Sequence, residues 1–179
     1  MSSVRSVLEV HGDMLLQHGG VQALVNPVNC VGVMGAGLAL QFKRTWPDNF
    51  NAYAQACKSG LVRPGKVFVF DLGSKVQSVP RWILNLPTKR HWRDASRLDD
   101  VEAGLADLVV QIRERGIDSV AIPPLGCGLG GLDWMEVRPR IMAAMTKLPQ
   151  VRVLVFGPHP AMSTSEPALS LHRSRPRPG

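Results

Sequence analysis

Two glycine-rich segments carry residue types that could bind a phosphorylated ligand. The first is N-P-V-N-C-V-G-V-M-G-A-G-L at residues 26–38, and the second is P-P-L-G-C-G-L-G-G-L at residues 123–132. Backbone N–H groups at positions without side chains can approach phosphate oxygens closely, and the N-terminus of a following helix adds a favourable dipole. Neither segment is a Walker loop or a G-x-G-x-x-G fingerprint. The pair therefore predicts a diphosphate site, with tight turns that need positive φ as the alternative.

A basic segment with interleaved tryptophans lies between the two glycine segments, at residues 81–97. Cations neutralise phosphates, and an exposed aromatic ring can stack on an unpaired base. The segment therefore predicts contact with nucleic acid; a solvated loop with Trp82 in the core is an equal alternative. Its cations are Arg81, Lys89, Arg90, His91, Arg93 and Arg97, against Asp94 alone, with Trp82 and Trp92 between them.

The elements that must position these segments alternate between strands and helices. Short runs rich in β-branched residues predict strands at 6–10, 23–25, 66–71, 82–86, 119–122 and 151–156. Helical spacing predicts helices at 37–46, 49–57, 98–112 and from about residue 133, with Ser96 as the cap of the third. Apolar strands that alternate with helices indicate an α/β fold with a largely parallel sheet. Both glycine segments then follow strands, where such sheets bind ligands.

Composition narrows the class of protein. The chain has 179 residues, 45% of them hydrophobic and 20% charged, which suits one folded domain and argues against disorder. No apolar stretch is long enough to span a membrane, and the N-terminus has no signal-peptide block. Three cysteines without a C-x-x-C pair favour the cytoplasm and argue against disulfides and zinc. Cys30 and Cys127 are interpreted as small packing residues.

The net charge of +7 favours a polyanionic partner. Residues 158–179 are interpreted as a flexible basic tail that is rich in Pro, Ser and Arg, with three arginines against one glutamate. The tail accounts for +2, so +5 belongs to residues 1–157, the predicted domain.

Four ordered motifs resemble the macrodomain superfamily. They are G-D-M at 12–14, A-L-V-N-P-V-N-C-V-G-V-M-G-A-G-L-A-L-Q-F-K at 23–43, N-L-P-T-K-R-H-W-R at 85–93 and P-P-L-G-C-G-L-G-G-L-D-W at 123–134. Within that superfamily the chain is similar to the DarG-like branch of DNA ADP-ribosyl glycohydrolases. The resemblance implies a three-layer α/β/α fold with a mixed, largely parallel sheet over residues 1–157. It also implies that the chain removes ADP-ribose from DNA bases, most of all thymine in single strands.

The resemblance also assigns ADP-ribose contacts. Asp13 would accept a hydrogen bond from the adenine amino group beside the Met14 backbone, with a turn or helix cap as the alternative. Asn29 would face the distal ribose, and Thr88 would lie next to it. The diphosphate and ribose would be enclosed by Val33, Met34, Gly35, Ala36, Gly37 and Leu38 on one side, and by Leu125, Gly126, Cys127, Gly128, Leu129 and Gly130 on the other.

Lys89 is implied to be the catalytic residue, because it occupies the position of the family's lysine in N-L-P-T-K. As an ammonium it would protonate or stabilise the departing base. As a neutral amine, favoured by Arg90 and Arg93, it would attack ribose C1″ directly. His91 is a second candidate acid or base. Arg90, His91, Trp92 and Arg93 would contact the nucleic acid.

Three departures from the family pattern keep alternatives open. Ala36 replaces a common lysine, Leu129 replaces a common asparagine, and Gly130 and Gly131 replace the acid of protein-deglycosylating relatives. The alternatives are a non-catalytic reader of ADP-ribose and a hydrolase of ADP-ribose linked to protein carboxylates. The implied partners are ADP-ribose, ADP-ribosylated single-stranded DNA and a cognate ADP-ribosyltransferase toxin. A cytoplasmic monomer without membrane, metal or cofactor is expected.

Overall fold

The computed structural model describes residues 7–73 and 80–159, which form six strands and five helices. The strands are β1 (Val7–Val10), β2 (Ala23–Val28), β3 (Phe68–Asp71), β4 (Trp82–Pro87), β5 (Ser119–Ile122) and β6 (Arg152–Phe156). The helices are α1 (Met14–Gln17), α2 (Gly37–Thr45), α3 (Pro47–Lys58), α4 (Leu98–Glu114) and α5 (Trp134–Met145).

The strands form one sheet in the order β1-β6-β5-β2-β4-β3. All neighbours are parallel except β3, which runs antiparallel to β4 at the edge. The predicted mixed, largely parallel sheet is therefore confirmed. Because the carboxyl ends of parallel strands meet at one edge, the segments after β1, β2, β4, β5 and β6 converge there.

Side-chain alternation along the strands divides the core into two faces. In β2, Ala23 and Val25 pack with α4 and α5, whereas Leu24 packs with Met14 of α1 and Phe42 of α2. Successive residues of a strand point to opposite faces, so a short apolar strand supplies both helical layers. A third cluster, which includes Val28 and Tyr53, fills the space beside α3. The result is the predicted three-layer arrangement.

Several boundaries differ from the predictions for local reasons. The strand predicted at 23–25 continues through Asn26 and Pro27 to Val28. Helix α3 begins at Pro47, because proline suits the first helical turn, where its missing N–H would be unpaired in any case. Ser96 is not the cap of α4: Arg97 holds that position, without a side-chain capping bond.

The described part of the chain ends at His159, two residues beyond the predicted domain boundary. The rest of the predicted tail, residues 160–179, and Ser6 of the first predicted strand lie outside the described residues. Among the described residues, no helix has the length and apolar character needed to cross a membrane.

Candidate functional site

A cleft of about 860 Å³ opens where the carboxyl ends of the strands converge. Residues after β1, β2, β4, β5 and β6 all line it, so the two glycine segments and the basic segment meet at one place. The lining includes these predicted residues: Asp13, Met14, Asn29, Val33, Gly35, Ala36, Gly37, Leu38, Thr88, Lys89, Trp92, Arg93, Gly126, Gly128, Leu129 and Gly130.

Five predicted contact residues are not part of the cleft lining. Met34 and Leu125 are fully buried, and their side chains pack in the core. Cys127 packs against the same core as Leu125. Arg90 and His91 also lie outside the lining. Met34, Leu125 and Cys127 point away from the cleft because a loop that encloses a cleft turns some of its side chains into the core, which anchors the loop.

The first glycine loop, residues 29–36, is held by the Asn29 side chain. Asn29 Nδ2 donates to the Val33 carbonyl at 2.7 Å, and its Oδ1 accepts the N–H groups of Val31 and Val33 at 3.1 and 3.3 Å. The Tyr53 hydroxyl lies 2.9 Å from the same oxygen and 2.6 Å from the Asn29 carbonyl. The amide oxygen is thus fully engaged in the loop, which leaves one amide hydrogen for a ligand.

Helix α2 presents its N-terminus to the cleft. Gly37 begins the helix with φ of +57°, a backbone conformation that favours glycine, and Ala36 at the N-cap supplies no side-chain capping bond. The first N–H groups of an α-helix have no partner within the helix. Exposed Ala36 and Gly37 therefore place uncapped donors and the positive end of the helix dipole beside the cleft, where an anionic group is favoured.

The second glycine loop, residues 123–132, is joined to the basic segment through Ser96. The Ser96 N–H donates to the Gly130 carbonyl at 2.9 Å. A Cβ added to Gly130 would lie 2.1 Å from Ser96 Oγ and 2.4 Å from the Gly126 carbonyl oxygen. Only glycine fits at this position without displacing a loop. The Ser96 hydroxyl is buried without a hydrogen-bond partner, although Ser96 lines the cleft.

Lys89 lies directly after β4, half-buried in the cleft wall. The N–H groups of Thr88 and Lys89 donate to the Val28 carbonyl at 2.9 and 3.4 Å, so the end of β2 holds the backbone. The Lys89 ammonium donates to the carbonyl oxygens of Leu129 at 2.9 Å and Trp92 at 3.5 Å. The amine is thereby held between the basic segment and the second glycine loop.

Arg90 is paired with an acidic side chain of α4. Its guanidinium forms two hydrogen bonds with the buried carboxylate of Asp100, at 3.1 and 3.2 Å. This pairing raises the pKa of Arg90 and compensates its charge. Arg90 therefore fixes the basic segment to α4.

The basic segment is two separate patches. Arg81 pairs with Asp71 at 3.0 Å, and its guanidinium lies over the ring of Trp82, which packs against the core. Strand β4 then separates Trp82 from Lys89 by roughly 20 Å, at about 3.3 Å per residue. Only the distal part, with Lys89, Trp92 and Arg93, reaches the cleft.

Asp13 caps a helix and also lines the cleft. Its Oδ1 accepts the Leu15 N–H at 2.9 Å and caps α1, a short helix that was not predicted. The carboxylate is nevertheless exposed and lines the cleft, so its second oxygen can accept a further hydrogen bond. Met14 is buried beneath it and anchors α1 to the core.

The cysteines are poorly suited to nucleophilic chemistry. Burial raises the pKa of the Cys30 thiol to about 11 and that of Cys127 to about 12, and it also raises the pKa of Cys57. A thiol attacks as its thiolate, so these groups are inert near neutral pH. Within the described residues, no cluster of three or more His, Cys, Asp or Glu side chains could hold a metal ion.

Sequence reasoning missed part of the lining. Ser96, Gln41, Phe156, Gly157 and His159 all line the cleft. Phe156 ends the last predicted strand and Gly157 follows it, so their place at the carboxyl end of a strand is a signal that the sequence contains. The sequence pattern predicts Ser96 as a helix cap and His159 as part of the tail.

A comparison with family models matches residues 25–141 to the Macro domain. A Thermus aquaticus protein named DNA ADP-ribosyl glycohydrolase is 53% identical over 149 residues, which are 83% of this chain and 40% of that protein. A Thermosipho africanus protein named as a fusion of a DNA ADP-ribosyl transferase and a DNA ADP-ribosyl glycohydrolase is 37% identical over 162 residues, 83% of this chain and 41% of that protein. The chain thus spans about two fifths of these curated relatives.

Solved structures agree with this comparison. The macrodomain of Mycobacterium tuberculosis DarG has a TM-score of 0.82 at 50% identity, and the match covers 86% of this chain and 99% of that one. The structure described as Thermosipho africanus DarTG in complex with ADP-ribose has a TM-score of 0.76 at 36% identity, and covers 84% of this chain and 42% of that one.

Proposed function

The chain belongs to the macrodomain family, and from this membership and the geometry of the cleft we propose that it removes ADP-ribose from modified bases of DNA. The observation that carries the proposal is the Lys89 amine, held where the basic segment and the second glycine loop meet inside the cleft. The names of the relatives, the net charge of +7 and the open N-terminus of α2 support the same substrate.

The ligand is proposed to lie along the cleft from Asp13 to Lys89. The free oxygen of Asp13 accepts the adenine amino group. The diphosphate lies against the N-terminus of α2, where residues 35–38 supply donors and the helix dipole, and faces Gly126 and Gly128. The remaining amide hydrogen of Asn29 meets the distal ribose. This direction brings the ribose C1″ to Lys89 and leaves the modified base at the cleft mouth.

Lys89 is proposed to act as a cation. The bond between C1″ and the base nitrogen breaks and its electron pair goes to the departing base. The oxygen of a water molecule bonds to C1″, and one proton of that water passes to the base, or to the Lys89 amine where Lys89 has already protonated the base. A positioned ammonium stabilises that negative charge or transfers a proton to it. Both contacts of Lys89 are donations to neutral carbonyls, and Arg90 is paired with Asp100. These contacts use the amine as a hydrogen-bond donor, which is the role that the proposed mechanism requires.

The test uses a single-stranded oligonucleotide that carries ADP-ribose on thymine, with release of free ADP-ribose as the readout. We expect turnover by the wild-type chain and a loss of about 100-fold or more in Lys89→Ala, since positioned acids contribute about 10²–10⁴. Affinity for free ADP-ribose should change little. Lys58→Ala, at the exposed end of α3, is the matched control and should keep full activity.

Two outcomes overturn the hydrolase proposal. If Lys89→Ala turns over the substrate as fast as the wild type, Lys89 has no catalytic role. If the wild type shows no turnover but binds ADP-ribose tightly, the chain is a reader module. Borohydride treatment during turnover separates the two lysine roles, because only attack by the amine leaves ADP-ribose covalently bound to Lys89. We expect no such adduct.

A DNA ADP-ribosyltransferase is proposed as the functional partner. The support is the Thermosipho africanus relative, whose name combines a transferase with a glycohydrolase. Co-expression of the chain with such a transferase should restore growth to cells that the transferase alone inhibits, and Lys89→Ala should not restore it. Rescue by the inactive variant would indicate sequestration of the transferase instead.

A further inference from the structure

The mouth of the cleft carries exposed apolar side chains. Of the nine large hydrophobic side chains that stay exposed in the described part of the chain, Val33, Trp92 and Leu129 line this cleft. Exposed apolar surface at the rim of a pocket marks a place where a ligand is received. The diphosphate and ribose of the proposed ligand are strongly polar. The three apolar side chains therefore fit a different, apolar part of the substrate.

The Lys89 amine contacts the backbone of two of these residues. The ammonium donates to the carbonyls of both Leu129 and Trp92. From there Leu129 extends back toward α2, because a Cβ on Gly37 would lie 3.7 Å from its Cδ1. Leu129 therefore covers the part of the cleft where the diphosphate is proposed. The amine also contacts the Trp92 backbone, and the exposed Trp92 ring lines the same cleft, so the departing base is proposed to lie beside this ring.

Trp92 stands on a firmly held turn. The Cys30 N–H donates to the Arg90 carbonyl at 3.2 Å, and the Arg90–Asp100 pair fixes the same residue to α4. Beyond it, His91 accepts the Asp94 N–H at its carbonyl and the Arg93 N–H at Nδ1, at 3.0 and 3.2 Å. Arg90 and His91 thus build the turn. The His91 ring stacks against the Trp92 ring with centroids 5.4 Å apart, and Trp92 remains 46% exposed.

We propose that Trp92 is the stacking platform for the base that carries ADP-ribose, and that Arg93 binds the adjoining backbone phosphate. This inference rests on the proposed function. The Arg93 guanidinium lies 4.5 Å from the Trp92 ring centre, and it forms no ion pair within the described residues, so its charge is available to a phosphate. Of the four nucleic-acid contacts that the sequence predicts, Trp92 and Arg93 touch the substrate, whereas Arg90 and His91 position them.

The platform selects an unpaired base and is indifferent to which base it is. Every base has a π face that can stack on an indole, whereas a base within a duplex has both faces covered by its neighbours. Preference for single strands then comes from Trp92 and not from reading base edges. A duplex substrate must expose its modified base first, at the cost of unstacking.

The experiment measures binding in a Lys89→Ala background, where the substrate stays intact. The ligands are free ADP-ribose, a single-stranded oligonucleotide carrying ADP-ribose, and the same oligonucleotide in a hairpin duplex. We expect the single strand to bind at least 10-fold more tightly than the other two. Addition of Trp92→Ala should reduce that binding about 5- to 150-fold, as expected for one stacked base. Affinity for free ADP-ribose should stay within about two-fold.

Two further variants keep the test decisive. Trp92→Phe should retain most of the preference for the single strand, because it keeps an aromatic face. Val110→Ala, an exposed apolar residue of α4 outside the cleft lining, is the matched control. Unchanged preference in Trp92→Ala, or an equal loss for free ADP-ribose, overturns the platform. Because binding needs no turnover, a wild-type chain that fails to hydrolyse would refute the proposed function alone.

Discussion

Asp13 shows how one side chain can serve both the fold and the site. It caps α1 through one carboxylate oxygen and presents the other to the cleft. Loss of binding in an alanine variant could therefore arise from unravelling of α1 or from a lost adenine contact. A substitution that preserves the cap separates the two, because serine is nearly as good an N-cap as aspartate.

We predict that Asp13→Ser and Asp13→Ala both weaken ADP-ribose binding about 10-fold, since both lack the carboxylate acceptor. Only Asp13→Ala should lose stability, by about 1 kcal/mol for the missing cap. Calorimetric titration and urea unfolding measure the two effects. If Asp13→Ser binds as well as wild type, the carboxylate has no role in adenine recognition.

The half-buried thiols of Cys30 and Cys127 predict a pH dependence of stability. Burial raises the pKa of Cys30 from its ordinary value of 9.0 to about 11, and that of Cys127 to about 12. Above about pH 9 the thiols ionise in the unfolded chain but remain protonated in the folded one. Ionisation therefore stabilises the unfolded state relative to the folded state. Stability should therefore be unaffected below pH 9 by these groups and should fall as pH rises toward 11.

Urea unfolding from pH 7.5 to 10.5 measures this fall. The double variant Cys30→Ala and Cys127→Ala should show a shallower slope above pH 9, whatever its absolute stability. If the free energy of unfolding falls with pH as steeply in the variant as in the wild type, other titrating groups cause the fall. Activity between pH 7 and 8 should be unaffected by iodoacetamide, because the thiolate fraction is negligible there.

At the scale of elements, the cleft depends on how the loops hold each other. The second glycine loop and the basic segment follow different strands, β5 and β4, and Ser96 against Gly130 joins them. Lys89 uses the same loop as its acceptor through Leu129. The position of the Lys89 amine therefore depends on the fit between Ser96 and Gly130, although neither of these residues is proposed to take part in the reaction.

We predict that Gly130→Ala lowers turnover more than 10-fold and stability by about 1–3 kcal/mol, because the added methyl group cannot fit without a loop shift. Ser96→Ala should keep full stability, since it removes a buried hydroxyl that has no partner. The double variant should recover only in part, because the Gly126 carbonyl still meets the new Cβ at 2.4 Å. Thermal unfolding and oligonucleotide turnover measure these changes. Full activity of Gly130→Ala would show that the contact between Ser96 and Gly130 does not position the Lys89 amine.

For the whole molecule, the basic charge is divided between site and tail. The sequence places +2 in residues 158–179, and the three arginines responsible are Arg173, Arg175 and Arg177. His159 lines the cleft, so a truncation that tests the tail must end after that residue. Charges outside the site contribute attraction to DNA that weakens with salt, because bound phosphates release counterions.

We predict that truncation after His159 reduces affinity for single-stranded DNA several-fold at 50 mM salt and little at 200 mM. Turnover of a mononucleotide carrying ADP-ribose should be unchanged. Replacement of the three arginines by glutamine in the full chain should reproduce the truncation. A loss of mononucleotide turnover in either variant would show that the segment helps to build the site.

The sequence alone was sufficient to predict a largely parallel sheet, the convergence of the loops at one edge of that sheet, and the role of the two glycine segments as part of those loops. Strand alternation and helix spacing are local patterns, and a parallel sheet necessarily gathers its carboxyl ends at one edge. The family motifs also indicated Lys89, which the structure places in the cleft wall.

Only the tertiary structure decided which side chains of those loops face the cleft. Met34 and Leu125 turn into the core, Arg90 pairs with Asp100, and Ser96 meets Gly130 across 34 positions of sequence. The net charge of the basic segment likewise does not show that Trp82 and Trp92 lie apart. Trp82 begins β4, and Trp92 follows the other end of that strand. Local sequence determines the periodicity of each element, but contacts between loops depend on the order and packing of the strands, to which residues distant in sequence contribute.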